Sequence, residues 1–203
     1  MHWIDPDSLA TVPGKVECFV LNPHGEIDGF VIAGPKQGAT LVHTPPHMAE
    51  ELSRRVKVGD DVGVQGVRLR GAELLAAVAV TAEDGRRIID EGPEEHRQHP
   101  KVEREKMKVE GTVRLSLFGP KGELRGALLT DGTSIRVGPK EAKAIATLLS
   151  PGASVAAKGE GIRTRYGRVV DASKIGGDGD SLRPVKGPKQ KHGPKHRHDE
   201  ARA

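Results

Sequence analysis

The sequence predicts a mainly β protein made of two tandem five-stranded barrels, each with one helix between its third and fourth strands. Three observations support this fold class: an internal repeat, short segments in which apolar and polar residues alternate, and turn residues between those segments. The chain has 203 residues, and its 26 Gly and 14 Pro suit many short strands joined by turns rather than long helices.

The repeat relates residues 14–89 to residues 111–175. Around the first turn, residues 22–29 (NPHGEIDG) match residues 119–126 (GPKGELRG). A loop at 33–39 is four residues longer in the first copy, and the match then resumes. Six positions agree there: Pro46, Leu52, Val56, Gly59, Val62 and Gly66 fall on Pro139, Ile145, Leu149, Gly152, Val155 and Gly159. Matched turn glycines and matched apolar positions indicate a duplicated domain.

The first strand of the first copy is predicted from alternation: Val16, Cys18 and Val20 lie on one side, and Glu17, Phe19 and Leu21 on the other. We assign the first side to the core. A turn at 23–25 leads to a second strand at 27–32, and a third strand follows at 40–44.

The helix of the first copy is predicted to begin at Pro46, since a proline at the first helical position loses no hydrogen bond. Met48, Leu52 and Val56 recur every four residues and give this helix one apolar stripe. Strands at 61–68 and 74–81 complete the copy. The second copy repeats the pattern from 109 to 175, with its helix at 139–149.

These elements divide the chain into five parts: an N-terminal segment (1–13), a first barrel (14–91), a charged linker (92–106), a second barrel (107–176) and a tail (177–203) rich in Lys and His. The tail has too few apolar residues to bury a core, and we expect it to be disordered.

Three strands, a helix and two strands within about 70 residues is the element order of the OB-fold barrel. The chain also resembles bacterial tandem OB-fold proteins of the nucleic-acid-binding type. The motifs that carry the resemblance are NPHGE at 22–26, Asp28-Gly29 and Pro45-Pro46-His47. The resemblance implies the fold and, through the fold, nucleic-acid binding. The second copy departs from the pattern, with Lys121 in place of His24 and Lys140 in place of His47.

Charge is unevenly distributed over the two copies. Residues 14–91 carry 9 basic and 12 acidic side chains, whereas residues 107–176 carry 12 basic and 6 acidic ones. The tail adds 7 basic and 4 acidic residues. A cationic surface attracts phosphates and releases their counterions, so charge places a nucleic-acid site in the C-terminal half.

Alternation and the loop positions specify that site. OB barrels bind oligonucleotides on strands two and three, flanked by the one–two and four–five loops. In the second copy the side chains expected on this surface combine arginines for phosphates with two aromatic rings for base stacking. They are Arg114, Phe118, Lys121, Arg125, Arg136, Arg163, Arg165, Tyr166 and Arg168.

The same alternation predicts an apolar outer face on the first barrel, with little positive charge. An exposed apolar patch of this kind marks an interface. The side chains assigned to it are Phe19, Leu21, Phe30 and Leu41, together with Ile32 and His43. The face is expected to dock on the second barrel, on the N-terminal segment, or on a protein partner such as a second subunit.

No catalytic motif is present: the sequence lacks a Walker loop, a serine elbow and His-Glu-x-x-His, and Cys18 is assigned to the core as an inert thiol. His24, His43 and His47, or His192, His196 and His198 in the tail, leave a metal-binding alternative open. We predict neither an enzyme nor a cofactor. The single cysteine excludes an intramolecular disulfide.

The predicted function is therefore non-enzymatic binding of single-stranded DNA or RNA by the second barrel and tail, with the first barrel as a docking module. A protein-interaction adaptor that uses the first barrel is the alternative, followed by a divalent-metal-binding protein. The N-terminus resembles no secretory signal, and no apolar run has the length of a membrane helix, so a cytoplasmic location without membrane contact is expected.

Overall fold

The computed structural model of the protein describes residues 4–34, 38–92 and 102–185. It contains two closed five-stranded barrels, as predicted. Within these ranges, no helix has both the length and the apolar character needed to cross a membrane.

The first barrel closes through one parallel pairing. Its sheet runs β3-β2-β1-β4-β5, all antiparallel, and β3 then pairs with β5 to complete the barrel. A short β6 extends the sheet beyond β5. A 3₁₀ turn at Pro46–Met48 leads into the helix. The elements are β1 (Thr11–Leu21), β2 (Ile27–Gly34), β3 (Gly38–His43), α1 (Ala49–Arg55), β4 (Asp61–Arg68), β5 (Leu74–Thr81) and β6 (Arg87–Ile89).

The second barrel repeats this topology, closed by the parallel pairing of its third and fifth strands. Its helix is shorter than predicted, because the backbone leaves helical geometry at Ile145 (φ −116°, ψ 26°) and continues as a 3₁₀ turn at Ala146–Leu149. The elements are β7 (Glu105–Phe118), β8 (Leu124–Leu129), β9 (Ser134–Arg136), α2 (Pro139–Ala144), β10 (Ser154–Thr164), β11 (Gly167–Gly176) and β12 (Arg183–Pro184).

A β-bulge in the first strand overturns the predicted alternation of the first copy. The pairing of β1 with β2 shifts between Val16 and Cys18, so Glu17 is an extra residue. Beyond the bulge, the core-facing and the outward-facing sides of β1 exchange. The outward direction predicted for Phe19 and Leu21 is therefore wrong. A second register shift, which leaves Asp28 of β2 without a partner strand residue, reverses Phe30 and Ile32 in the same way. All four lie in the first core with Leu52 and Val56. Cys18 and Val20 face away from that core instead.

The second copy has the same bulge at the matching position, Arg114, between Val113 and Leu115. Consequently Leu115 and Leu117 face away from the core that was predicted for them. On β8 the sides are also exchanged, since Ala127 lies in the second core and Leu128 does not.

The segment that follows the second barrel is folded for its first nine residues, where disorder was predicted. The Asp178 carboxylate accepts hydrogen bonds from the backbone N–H groups of Asp180 and Ser181. The short β12 then pairs with β11, and Val185 packs against the second core. The rest of the tail, the tip of the long loop (35–37) and most of the linker (93–101) lie outside the described residues.

Candidate functional site

The two barrels pack against each other, and we call one apolar cluster in this contact the seam. Val20, Val31, Leu41 and Leu74 of the first barrel meet Leu117 and Leu128 of the second. Val20 and Val31 occupy the same repeat positions as Leu117 and Leu128, so equivalent surfaces face each other. The seam therefore covers the surface on which an OB barrel binds oligonucleotides.

The loops around the seam repeat this symmetry. A Cβ on Gly25 would lie 2.8 Å from Ile162 of the second barrel, and a Cβ on Gly122 would lie 3.5 Å from Leu69 of the first. Gly25 and Gly122 are repeat equivalents, and so are Leu69 and Ile162. Each barrel thus packs its first turn against the four–five hairpin of the other, which is an approximately two-fold arrangement.

The two predicted stacking aromatics take part in these contacts. Tyr166 packs edge-to-face on Phe19 of the first barrel, with ring centroids 5.5 Å apart, and its hydroxyl lies 3.5 Å from the Ser53 carbonyl oxygen. The Arg165 guanidinium lies 4.8 Å from the centre of the Tyr166 ring. Phe118 is half-buried beside the seam. Both rings are committed to packing between the barrels.

Most of the predicted arginines are paired with acidic side chains. The pairs are Arg114 with Glu17, Arg125 with Glu123, Arg136 with Asp28, Arg163 with Glu105, and Arg168 with Asp131. Lys121 and Arg165 are exposed. Because the pairs neutralise each other, these arginines do not form one continuous cationic rim.

Arg136 is the most deeply placed of them. It points out of its own barrel, as predicted, but the first barrel covers it and its side chain is only 6% exposed. Its Nε donates to the Leu21 carbonyl oxygen (2.9 Å) and its Nη2 to Asp28 Oδ2 (2.8 Å). Burial lowers the pKa of Arg136, and the adjacent Asp28 carboxylate opposes that effect.

The residues assigned to the apolar docking face divide in two. Phe19, Leu21 and Phe30 belong to the first core, although Phe19 also reaches Tyr166. Leu41 lies in the seam. The outward-facing surface of β2 and β3, where Leu41 lies, is thus covered by the second barrel.

A row of lysines on the second barrel was missed by sequence reasoning. Lys108, Lys158 and Lys174 are direct cross-strand partners on β7, β10 and β11. All three are exposed on the outer face, and none forms an ion pair with a residue that the structure describes. We call them the lysine row. Finding it requires the strand register, which alternation alone does not supply.

The first barrel has an uncharged row at the corresponding place. Thr11, Gln65 and Ala79 are the cross-strand partners on β1, β4 and β5. The Gln65 amide donates to the Pro6 carbonyl oxygen (3.0 Å), so the N-terminal segment packs on this row. The lysine row is therefore specific to the second copy.

An acidic pair lies beside the lysine row, where Glu160 and Asp171 are direct partners on β10 and β11. Asp171 is half-buried, and its Oδ1 has no hydrogen-bond partner among the described residues. Burial raises the pKa of Asp171 to about 6, which the Arg104 guanidinium opposes and the Glu160 carboxylate reinforces.

A cleft of about 270 Å³ opens at one end of the seam. Both first turns and both third strands line it, including Asp28 and His43 from the first copy and Arg125 and Arg136 from the second. His43 Nδ1 lies 3.6 Å from Asp28 Oδ1. These four side chains stand at two pairs of equivalent positions, since Asp28 matches Arg125 and His43 matches Arg136.

The histidines do not gather around one point. His47 Nε2 lies 2.8 Å from Asp90 Oδ1, apart from the His43–Asp28 pair. In the described parts of the chain no three His, Cys, Asp or Glu side chains are placed to share a metal ion. The tail histidines lie outside those parts.

The repeat-matched glutamates Glu26 and Glu123 form hydrogen bonds within their turns. Glu26 accepts from the Asn22 amide (2.9 Å), and Glu123 accepts from the Lys121 backbone N–H (3.1 Å). The Arg125 hydrogen bond and the backbone N–H groups lower the pKa of Glu123 against a burial effect that raises it.

No family model and no curated protein matches this chain. Among solved structures, the wild-type single-stranded DNA binding protein from Thermus aquaticus is similar at 15% identity, covering 89% of this chain and 94% of that one, with a TM-score of 0.26. The resemblance to bacterial tandem OB-fold proteins thus stays a prediction beyond the fold itself.

Proposed function

We propose that this protein binds single-stranded nucleic acid without catalysing a reaction, through the lysine row of the second barrel and the basic tail. The observation that carries the proposal is the direct cross-strand placement of Lys108, Lys158 and Lys174. The proposal keeps the predicted ligand and the predicted half of the chain. It moves the contact surface from the seam to the outer face.

The lysine row has an electrostatic cost that an anionic partner relieves. Directly opposed residues in a sheet have Cβ atoms about 5 Å apart, and like charges at that separation destabilise the pairing. Three such charges span roughly 10 Å across adjacent strands. A phosphodiester backbone supplies negative charges on that scale, and its binding releases condensed counterions.

The described fold ends next to the lysine row. Lys174 pairs with Pro184 in β12, so the chain leaves the described fold at Val185, next to the lysine row. Residues 186–203 then carry six basic and two acidic side chains. A backbone bound along the row can extend onto this segment, which adds further phosphate contacts.

Binding of this kind is independent of sequence. The lysine row provides point charges for phosphates, whereas the aromatic rings Phe118 and Tyr166 are packed between the barrels. We expect a flexible single strand to follow the row and the tail more closely than a stiff duplex does.

The test is a fluorescence-anisotropy titration of a labelled oligo-dT at several salt concentrations. For the parent protein we expect tight binding at low salt and a steep loss with added salt. The triple variant Lys108→Gln/Lys158→Gln/Lys174→Gln should flatten the log–log salt slope by about 2, from about 0.7 per single-strand contact.

The matched control is Lys140→Gln/Lys143→Gln, which removes exposed lysines from α2 of the same barrel. It should bind close to the parent. No binding by the parent at low salt, or equal slopes for the triple variant and the parent, would contradict the proposal. Tighter binding of a duplex competitor would contradict the single-strand preference.

A further inference from the structure

We infer that the cleft at the end of the seam is a binding site for a small organic oxyanion, a carboxylate or phosphate carried on a compact apolar body. The inference is independent of the proposed nucleic-acid binding, which uses the opposite strands of the second barrel. It rests on the cleft's size, its walls and the hydrogen-bond donors at its base.

The size and the walls select a small ligand with an apolar part. At about 270 Å³ the cleft lies just below the range for drug-sized molecules. Pro23, Pro46, Pro120 and Val137 are the apolar side chains of its wall. Proline rings have few rotatable bonds, so these walls are already formed and cost little entropy on binding.

The donors come first from Arg136. A guanidinium carries five N–H groups. Only two donor bonds from Arg136, to Leu21 and Asp28, occur among the described residues. Those bonds fix the plane of the guanidinium, whose side chain is 6% exposed and lines the cleft. Its remaining N–H groups are thus held in one orientation at the cleft wall, where an oxyanion can accept charge-assisted hydrogen bonds from them.

The cleft is lined by one carboxylate and two guanidinium groups. Asp28 accepts from Arg136 on Oδ2, and its Oδ1 lies 3.6 Å from His43 Nδ1. Arg125, half-buried on the same cleft, is held by Glu123, whose carboxylate is not part of the lining. The excess of guanidinium groups over carboxylates in the lining favours an anion over a cation or a neutral amine.

Divergence of the repeats explains why the cleft has this chemistry. At two pairs of repeat-equivalent positions, Asp28 of the first copy matches Arg125 of the second, and His43 matches Arg136. If both copies held the two arginines of the second, arginine would meet arginine across the seam, because position 28 of the first barrel faces position 136 of the second. The acidic residue at position 28 instead gives the Arg136–Asp28 ion pair, and Arg125 remains on the cleft wall.

The experiment uses the full chain and three probes: benzoate, phenyl phosphate and the neutral benzyl alcohol. Binding is followed by amide chemical shifts in ¹H–¹⁵N spectra. We expect benzoate or phenyl phosphate to shift resonances of residues lining the cleft in a saturable way, and benzyl alcohol to bind at least tenfold more weakly. The two anions distinguish a carboxylate site from a phosphate site.

Two variants test the residues. Arg125→Gln leaves the buried Arg136–Asp28 pair intact and should weaken anion binding three- to tenfold. Asp28→Asn/Arg136→Gln removes that pair without leaving an unpaired charge, and should weaken anion binding more than tenfold. Arg163→Gln, which removes an exposed and paired arginine far from the cleft, is the control and should bind like the parent.

Equal binding of benzyl alcohol and the anions, or shifts that do not saturate and do not cluster at the cleft, would overturn the inference. The inference would also be overturned if Arg125→Gln and Asp28→Asn/Arg136→Gln both bound the anions as tightly as the parent does. The lysine-row triple variant should bind benzoate and phenyl phosphate like the parent, so failure here and failure of the proposed nucleic-acid binding are separable.

Discussion

Asp171 is a residue whose titration is coupled to stability. Its carboxylate is half-buried, opposite Glu160, and its pKa is raised from 3.8 to about 6. The folded protein therefore holds the proton more tightly than the unfolded chain does. This stabilising effect is complete below pH about 4 and is lost as the pH rises through about 6.

Asp171→Asn should remove that loss. At pH 7.5 we expect the variant to be more stable than the parent by about 2–3 kcal/mol, from about 1.4 kcal/mol per pKa unit. Below pH 4 the two should be nearly equal. Urea unfolding at both pH values measures the difference. Glu83→Gln, which removes an exposed carboxylate from the first barrel, is the control and should change little. An equal gain from Asp171→Asn at both pH values would argue against the ionisation mechanism.

Tyr166 is a single residue that contributes to the packing between the two barrels. Its ring packs on Phe19 and lies with Ile162 and Val169 against the first core. Tyr166→Ala should therefore cost about 2 kcal/mol of unfolding free energy, less than a fully buried aromatic ring does. Arg165→Ala, at the exposed neighbour, should cost under 1 kcal/mol.

Oligonucleotide titration of the same two variants separates packing from base stacking. If Tyr166 serves only the seam, its loss leaves affinity unchanged wherever the variant is folded. A loss of about 1–3 kcal/mol in affinity would instead restore the base-stacking role predicted from sequence.

At the scale of single elements, the bulges determine which residues reach the core. Each copy bends its strands at equivalent glycines, Gly29 and Gly126, where the neighbouring backbone approaches closely. A Cβ would lie 2.1 Å from the Val42 carbonyl oxygen at Gly29 and 1.8 Å from that of Ile135 at Gly126. Such contacts require the paired strands to separate.

Gly126→Ala should consequently destabilise the protein by about 3 kcal/mol or more, because backbone atoms cannot rotate away as a side chain does. Gly132→Ala is a suitable comparison: Gly132 also has a positive φ, but a Cβ there meets no atom within 4 Å. It should cost only about 1 kcal/mol. Urea unfolding measures both. Similar costs would show that the close approach at Gly126 relaxes easily.

The bounds of strands flanked by turn residues could be predicted from the sequence, whereas the side of each strand that faces the core could not. Strands β4 and β5 begin and end where turn glycines and alternation placed them. The direction of Phe19 was wrong because one inserted residue, Glu17, reverses every later side chain in β1, and the direction of Phe30 was wrong because Asp28 is an inserted residue in β2. Nothing in the letters around Glu17 marks that insertion, since the bulged position holds no glycine.

In the candidate sites, too, composition was predictive, whereas the neighbours of each side chain were not. The net charge of the second copy predicted a basic surface in the C-terminal half of the chain, and the lysine row lies in that half. Its members became neighbours only through the register of three strands, which long-range packing determines. Arg136 and its partner Asp28 are 108 positions apart in the chain, and no local pattern joins them.

At the scale of the whole molecule, the seam makes the two barrels one folding unit. Leu117 and Leu128 are fully covered by residues of the first barrel, and Ile162 of the second lies against the first core. We expect a single cooperative unfolding transition. Leu128→Ala should lower the unfolding free energy by about 2–4 kcal/mol and keep one transition. Calorimetry that resolves two transitions in the parent would refute this coupling.

The two-fold seam also bears on the protein's ancestry. A surface that pairs with its own repeat equivalent is what a symmetric homodimer of single barrels would have required before the gene was duplicated and fused. Identical subunits must place the same residue on both sides of such an axis. Fusion lifts that restriction, after which Asp28 and His43 on one side were able to face Arg125 and Arg136 on the other. The asymmetric cleft is thus chemistry that became accessible only once the two subunits shared a chain.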